Sequence, residues 1–346
     1  MSRRKGKKKK ASTFFARFFV FIAIFVFAAL FFVIREQEQT GKQKTQWQTG
    51  SFLRIGDTQV DAREGLVYLN AAKEDYEQYY GSDIWEYVVD AQGNTIAAVL
   101  KEQVLEQITY IKVVCEKAGE MGTVLSAEEL ERVEAQVVEY MKKLEGSPLL
   151  THGVNADIIR RIYSDNLLAR KTFEEATLKV NTDIPDEEAR QRSFYTLAIR
   201  NHKVDASGEK VAYKGEDLTA LKERMSKLRE EALTKEDFYT WAASITDDAS
   251  TLKLSGGAGD FPEELEEALF ALSTGELSEV IETTDYMYLV YCVYDFDIDA
   301  TLAVKEEMIA KRQAEEFLLL YEEWKLAIGV ELNKPEWEKI DFISGN

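Results

Sequence analysis

The chain has 346 residues, is 45% hydrophobic and carries a formal net charge of −19, so it is long enough for about two folded domains. Residues 1–35 hold nine Lys/Arg and no Asp/Glu, which leaves all 62 acidic residues and 34 basic ones in the remainder. An acidic surface of this kind repels phosphate backbones and anionic lipid, which disfavours a nucleic-acid-binding function.

The first fifty residues have the pattern of a membrane anchor. A basic tail, 1–13, precedes an apolar stretch, 14–34, whose uninterrupted part is near the lower limit of about 17–25 residues for a membrane span. The basic flank predicts a cytoplasmic N-terminus and an extracytoplasmic remainder. A cleaved signal peptide is the alternative, but the apolar run continues past the small residues Ala28 and Ala29, which favours an uncleaved anchor. Residues 35–50 are polar and are predicted to be a flexible spacer.

A helical region follows this spacer. Residues 52–55 predict a short strand, and four amphipathic helices are then predicted in succession. Asp61, Asn94-Thr95, Ser126 and Asn155 have the residue types that begin helices, and Ser126 with Glu129 has the spacing of a capping box. The sequence therefore predicts a helical module over 51–192.

Residues 193–296 have a mixed pattern. A strand at 194–199 and charged helices at 217–233 and 235–244 come first, with Phe238 and Trp241 facing inward. A glycine turn (Gly256, Gly257, Gly259) then precedes a helix that starts at Pro262, for which Gly275 is the predicted C-terminal cap. Two β-rich runs, 280–283 and 286–294, predict a closing hairpin.

The C-terminal region, 297–346, returns to helix. An apolar stripe predicts a helix that packs on the N-terminal helices, and 330–332 with 337–342 are predicted to add strands against 52–55. The predicted fold class is therefore α+β, in which a helical module built from both ends contains 193–296 as an insertion, preceded by one transmembrane helix. The stripe consists of Phe317, Leu320, Tyr321, Trp324 and Ile328.

The cysteines and histidines do not form a recognisable metal or redox motif. Cys115 and Cys292 lie in apolar patterns, which predicts two buried free thiols rather than a disulfide. His152 and His202 each stand in a polar stretch without ligands nearby, so both are predicted to be surface residues rather than metal ligands or bases. We expect no metal and no cofactor.

The order of motifs in 255–294 resembles the C-terminal half of a parvulin-type peptidyl-prolyl isomerase domain. The corresponding pieces here are GGAGDF, EEALFAL, GELSEVIET and DYMYLVYC. The stretch 68–87, YLNAAKEDYEQYYGSDIWEY, resembles the chaperone domain of membrane-anchored Gram-positive foldases of this family. The resemblance implies prolyl isomerisation without a cofactor.

The resemblance also implies a set of site residues. The family places a Cys or Asp near the reacting amide with two histidines behind it, and the matching positions here are Asp248, Tyr195 and Met287. The acidic position is thus kept and both histidines are replaced. Phe261, Leu265 and Phe270 are the candidates for a shortened proline pocket, with core packing as the alternative for Phe270 and a turn or capping role as the alternative for Asp248.

The pattern of the first fifty residues predicts a single-pass cell-membrane protein, and the resemblance implies a foldase with weak isomerase activity. Its partners would be unfolded or proline-containing polypeptides after secretion, together with the membrane itself. Two alternatives remain open, namely a catalytically inactive parvulin-like chaperone and a binding module for one dedicated partner in an envelope complex.

Overall fold

The computed structural model describes residues 46–343, and these divide into two units. One unit comprises 46–180 with 313–343, and the other comprises Asn181–Arg312. The basic tail and the predicted membrane span at 14–34 lie outside the described residues. Within 46–343, no helix combines the length and the apolar character needed to cross a bilayer.

The first unit is mainly helical and contains one small antiparallel sheet, whose strands lie in the order Thr58–Asp61, Ser51–Ile55, Val330–Leu332. Its elements are β1 (Ser51–Ile55), β2 (Thr58–Asp61), α1 (Ala62–Tyr80), α2 (Ile96–Met121), α3 (Ala127–Lys143), α4 (Pro148–Thr151), α5 (Ala156–Ala176), the C-terminal part of α10 (Ile298–Ile328), β9 (Val330–Leu332) and α11 (Lys334–Glu338).

The four predicted helix starts of this unit are confirmed by their capping hydrogen bonds. The carboxylate of Asp61 accepts from the Arg63 N–H at 2.8 Å, and Thr95 Oγ1 accepts from the Ala98 N–H at 3.2 Å. Ser126 forms the predicted capping box, and Asn155 Oδ1 accepts from the N–H groups of residues 157 and 158. These bonds satisfy backbone donors that the first turn of a helix leaves free.

The C-terminal residues complete the core of this unit. The ring of Phe317 is fully buried and lies 4.9 Å from the ring of Phe173. Strand β9 pairs with β1, as predicted for 330–332. The predicted strand over 337–342 is wrong, because Pro335 stands in the first turn of α11, where a proline favours a helix start. Trp337 from α11 stacks on Phe52 at 4.7 Å.

The second unit contains a four-stranded antiparallel sheet and a separate two-stranded hairpin. The strands of the sheet lie in the order Lys253–Gly256, Arg192–Arg200, Tyr286–Tyr294, Ile281–Glu282, and the hairpin pairs His202–Val204 with Lys210–Ala212. Its elements are α6 (Asp186–Ala189), β3 (Arg192–Arg200), β4 (His202–Val204), β5 (Lys210–Ala212), α7 (Glu216–Ala232), α8 (Phe238–Ala243), a 3₁₀ turn (Ala249–Thr251), β6 (Lys253–Gly256), α9 (Glu263–Ala271), β7 (Ile281–Glu282), β8 (Tyr286–Tyr294) and the N-terminal part of α10.

Two apolar clusters cover the two faces of this sheet. The α7 face consists of alternate residues of β3 and β8, such as Leu197 and Leu289, packed with Met225 of α7 and Phe238 of α8. The α9 face consists of the intervening strand residues packed with the α9 helix and the residues just before it, and it includes Phe194, Ala198, Phe261, Leu265, Leu269, Tyr288, Val290 and Cys292. Successive strand residues point to opposite sides, so one residue of register decides the face.

The glycine turn at 256–259 needs glycine for two different reasons. Gly259 has φ of +88°, a conformation that favours glycine. Gly256 and Gly257 instead lie where a side chain has no room, since a Cβ on Gly257 would come within 2.9 Å of Gln191 Nε2 and within 3.0 Å of the Arg190 carbonyl. Gly275 is not the cap of α9, because that helix already ends at Ala271 and its C-cap is Leu272, whose backbone is extended.

Candidate functional site

The segment that contains Asp248 runs along the edge of β3. Thr246 Oγ1 lies 3.2 Å from the Ala198 N–H, and the Asp247 N–H donates to the Ala198 carbonyl at 2.8 Å. The Thr196 N–H donates to the Leu252 carbonyl at 3.1 Å. These bonds hold the 246–252 segment against β3, one of the two inner strands of the sheet.

Asp248 is the N-cap of the 3₁₀ turn. Its Oδ1 accepts from the Ser250 N–H at 2.9 Å and from the Ser250 hydroxyl at 2.6 Å. Asp248 therefore has the capping role that the sequence left open as the alternative to a site residue. A carboxylate has about four acceptor positions, so two bonds on Oδ1 leave capacity for a further partner.

Tyr288 is the polar residue of the α9 face that lies next to this segment. Its side chain is buried, and burial raises the pKa of its hydroxyl, as does the negative charge of Asp248. A hydrogen bond with the Thr251 side chain acts in the opposite direction on this pKa. Tyr288 therefore keeps its proton at ordinary pH and can donate a hydrogen bond beside Asp248.

The structure does not bring Tyr195 and Met287 together with Asp248. Met287 is fully buried in the α7 face, and Tyr195 packs at the edge of the same cluster with its ring 5.1 Å from Tyr239. The reason is that successive strand residues point to opposite faces of the sheet. If the match of Tyr195 and Met287 to the family's histidine positions is wrong by one residue, the predicted side chains lie on the opposite face.

Two residues that were not predicted lie immediately after predicted ones in the chain, namely Thr196 after Tyr195 and Tyr288 after Met287. Thr196 is fully buried and its hydroxyl donates to the Thr251 carbonyl at 2.5 Å, and Tyr288 lies beside Asp248 as described. The sequence contained an indication of this, because the apolar alternation of β3 and β8 assigns Leu197, Met287 and Leu289 to one face. The intervening strand residues, Thr196 and Tyr288 included, then belong to the other face.

The three predicted pocket residues do lie together on the α9 face. The Phe261 ring meets Phe194 at 5.7 Å and Phe270 at 6.1 Å, both edge-on. Phe261 and Leu265 are buried, and Phe270 is half-buried with the Arg192 guanidinium 4.6 Å above its ring. The inner residues thus pack the core of this face, and Phe270 is the most accessible of the three.

The prediction of a surface position for His202 is wrong. Its side chain is buried at the start of β4, and its Nδ1 lies 3.0 Å from the Asp285 carbonyl oxygen. Asp285 also forms an ion pair with Lys210 of β5. His202 therefore joins the β4-β5 hairpin to the β7-β8 turn, a contact between distant residues that the polar local sequence does not reveal.

Comparison with known proteins shows a similarity to one family of foldases. Residues 202–293 match the family model for Rotamase, the PPIC-type PPIASE domain. The foldase protein PrsA of Clostridium botulinum strain Langeland is 21% identical over 263 residues, which are 70% of this chain and 76% of that protein. This chain is similar to parvulin-type foldases, and the rotamase match lies within its second unit. The matched range contains Asp248 and Tyr288 and begins after Tyr195 and Thr196.

Other foldase proteins are similarly distant from this chain. The foldase protein PrsA of Caldanaerobacter subterraneus is 27% identical over 215 residues, 59% of this chain and 60% of that protein. The crystal structure of PrsA from Lactococcus lactis aligns with 82% of this chain and 95% of its own, at 12% identity and a TM-score of 0.33. The crystal structure of the peptidylprolyl isomerase PrsA from Bacillus cereus aligns with 72% of this chain and 95% of its own, at 15% identity and a TM-score of 0.30.

Proposed function

We propose that this chain is a foldase of the peptidyl-prolyl isomerase type that assists the folding of secreted proteins. The observation that carries the proposal is the rotamase match over 202–293, which contains Asp248 and also Tyr288, whose pKa is raised by burial and by the charge of Asp248. The foldase relatives support the same activity class.

The chemistry requires little from the protein. Prolyl isomerisation breaks no bond, and the amide must only twist over a barrier of about 18–20 kcal/mol. A catalyst favours the twisted amide through placed polar groups and holds the proline ring in apolar surroundings. Asp248 and Tyr288 are the polar groups we assign here, and Phe270 with Phe261 behind it is the apolar surface.

The activity is proposed to be weak. The two histidines of the chain are His152, in the first unit, and His202, which is held against the Asp285 carbonyl. Neither occupies a strand position beside Asp248, where the family has its pair. Tyr288 replaces part of that polar support with one hydroxyl, so we propose a rate below that of a parvulin with both histidines.

A direct assay tests this proposal. The purified protein is added to a proline tetrapeptide, and cis-to-trans relaxation is followed with an intact parvulin alongside. We expect a small acceleration that Asp248→Asn removes. A rate equal to that of the intact parvulin and unaffected by Asp248→Ala would move catalysis elsewhere in the domain.

A catalytically inactive chaperone is the second candidate, favoured by the missing histidines. It predicts suppression of aggregation for an unfolded client that has no cis-proline bond, together with no effect on the tetrapeptide. A binding module for one envelope partner predicts capture of a single stoichiometric protein and no general suppression of aggregation.

We also propose the topology of a single-pass membrane protein with its C-terminal part outside the cytoplasm. The support is the basic tail before the apolar stretch at 14–34. Protease added to intact spheroplasts should digest most of the chain. Protection of residues 50–346 until the membrane is lysed would contradict this orientation.

A further inference from the structure

The first unit contains a partly open cavity of about 230 Å³ among helices α1, α2, α3 and α5. The cavity belongs to the helical unit, whereas Asp248 and Tyr288 belong to the other unit. Most of its wall is apolar, from Val67 and Ala71 of α1 and from Ile159, Ile162 and Leu167 of α5.

One unsatisfied acceptor marks the polar part of this cavity. The Asn166 side chain lines the cavity, and its Nδ2 donates to the Tyr68 hydroxyl and to the Ile162 carbonyl, both at 2.7 Å. Its Oδ1 is buried and has no hydrogen-bond partner among the described residues. A buried acceptor without a partner is unfavourable, so a ligand that brings a donor to Asn166 gains more than one that does not.

The rest of the wall suits a planar ring. The rings of Tyr140 and Tyr163 line the cavity and meet edge-on at 6.1 Å. Arg132 and Arg170 also line it and are exposed, so a guanidinium at the opening can lie over the face of a bound ring. A cavity of about 150 Å³ already holds benzene, so this larger one has room for a bicyclic ring.

We propose that this cavity binds an aromatic side chain that carries one hydrogen-bond donor, the indole of tryptophan or the phenol of tyrosine, from an unfolded polypeptide. The ring fills the apolar part, and its N–H or O–H donates to Asn166 Oδ1. Phenylalanine fits the same walls but leaves that oxygen unpaired. Only the polypeptide source of the ring rests on the proposed foldase function.

The test compares N-acetyl-tryptophanamide with N-acetyl-phenylalaninamide on the full-length protein, with the methyl groups of Ile159, Ile162 and Leu167 observed by NMR. We expect those methyl signals to shift on titration, with the tryptophan probe binding roughly two- to tenfold more tightly, the range of one net hydrogen bond. Equal affinities for the two probes, or NMR shifts confined to residues outside the cavity, would overturn the proposal. This test uses the unaltered protein and so does not depend on whether a variant folds.

Two matched variants locate the site. Ala71→Phe fills the cavity from α1, whereas Ala135→Phe places the same ring at an exposed position of α3. We expect the first to abolish probe binding and the second to leave it unchanged, with circular dichroism confirming that both are folded. Asn166→Ala should bring the two probe affinities together. Retained binding in a folded Ala71→Phe protein would also overturn the proposal.

A competition experiment identifies the source of the ring. An unfolded polypeptide that contains tryptophan should displace the probe, and its tryptophan-to-phenylalanine version should do so less well. Failure of both polypeptides would contradict the polypeptide source. The tetrapeptide assay on Ala71→Phe keeps the two proposals apart, because isomerase activity should survive there while probe binding is lost.

Discussion

At the scale of single residues, Asp248 has an observed capping contact and a proposed role near the reacting amide. Its Oδ1 caps the 3₁₀ turn through Ser250, while its charge acts on Tyr288. An amide side chain can keep the cap and remove the charge, so the two contributions can be separated by substitution.

The first prediction compares Asp248→Asn with Asp248→Ala. Both should reduce isomerisation to the uncatalysed rate, because both remove the carboxylate. Only the alanine variant should also lose stability, by roughly 0.5–2 kcal/mol, since only it removes the capping acceptor. The tetrapeptide assay and urea unfolding check the two parts. Full activity in Asp248→Asn would show that the charge has no role.

The second prediction concerns the two faces of the sheet. Tyr288→Phe should lower the isomerisation rate by up to about 10²-fold, the lower end for loss of one placed donor. Tyr195→Phe is the matched control and should leave the rate unchanged, because Tyr195 packs on the α7 face. Relaxation of the proline tetrapeptide measures both. The opposite ranking would restore Tyr195 as the site residue.

At the scale of elements, the start of α3 shows how a local motif becomes sensitive to pH. Glu129 accepts from the Ser126 N–H at 2.6 Å and from the Lys171 ammonium at 3.0 Å. The backbone bond to Ser126 is the main cause that lowers the pKa of Glu129 from 4.5 to about 2, with Lys171 adding to it. Glu129 therefore releases its proton more readily in the folded protein than in the unfolded chain.

The third prediction follows from the sign of that shift. A depressed folded pKa stabilises the protein above the unfolded value of 4.5, and this stabilisation is lost as the pH falls towards about 2. Glu129→Gln keeps a capping acceptor without the charge. The gap in urea midpoint between wild type and this variant should therefore close over that range. Glu128→Gln, in the same first turn, controls for general loss of charge, and a constant gap would contradict the prediction.

At the scale of the whole molecule, both ends of the described chain build the core of the first unit. Strand β1 pairs with β9, and the Phe317 ring contacts Phe173 and Tyr110, the latter at 6.1 Å. The residues of Asn181–Arg312 form the other unit between these two segments. The helical unit therefore closes only after the C-terminal residues have been synthesised.

The fourth prediction tests this closure. Phe317→Ala should destabilise the first unit by about 3–5 kcal/mol, because it empties a fully buried aromatic position. Leu319→Ala on the same helix is the control, since Leu319 is 70% exposed and should change stability by less than about 0.5 kcal/mol. Hydrogen exchange should show faster opening in 46–180 and no change in Asn181–Arg312. Equal effects of the two substitutions would contradict the shared core.

The sequence was sufficient for features that depend on neighbouring residues. Helix starts at Asp61, Thr95, Ser126 and Asn155 are set by side chains that bond to backbone groups two or three residues away, so their pattern is readable in the chain. The apolar stripe on α10 and the pairing of 330–332 with the first strand were readable for a similar reason, since burial repeats with the period of the element. The motifs of the rotamase domain were also readable.

Features that depend on contacts between distant residues were visible only in the tertiary structure. Tyr195 packs on the α7 face, whereas the hydroxyl of the next residue, Thr196, donates to the Thr251 carbonyl. Successive strand residues point to opposite sides of the sheet, and sequence matching tolerates an error of one residue. The burial of His202 depends on Asp285, and the place of Gly257 depends on Arg190 and Gln191. The unpaired oxygen of Asn166 likewise exists only because α1 and α5 meet around a cavity, and spacing along one helix does not encode that meeting.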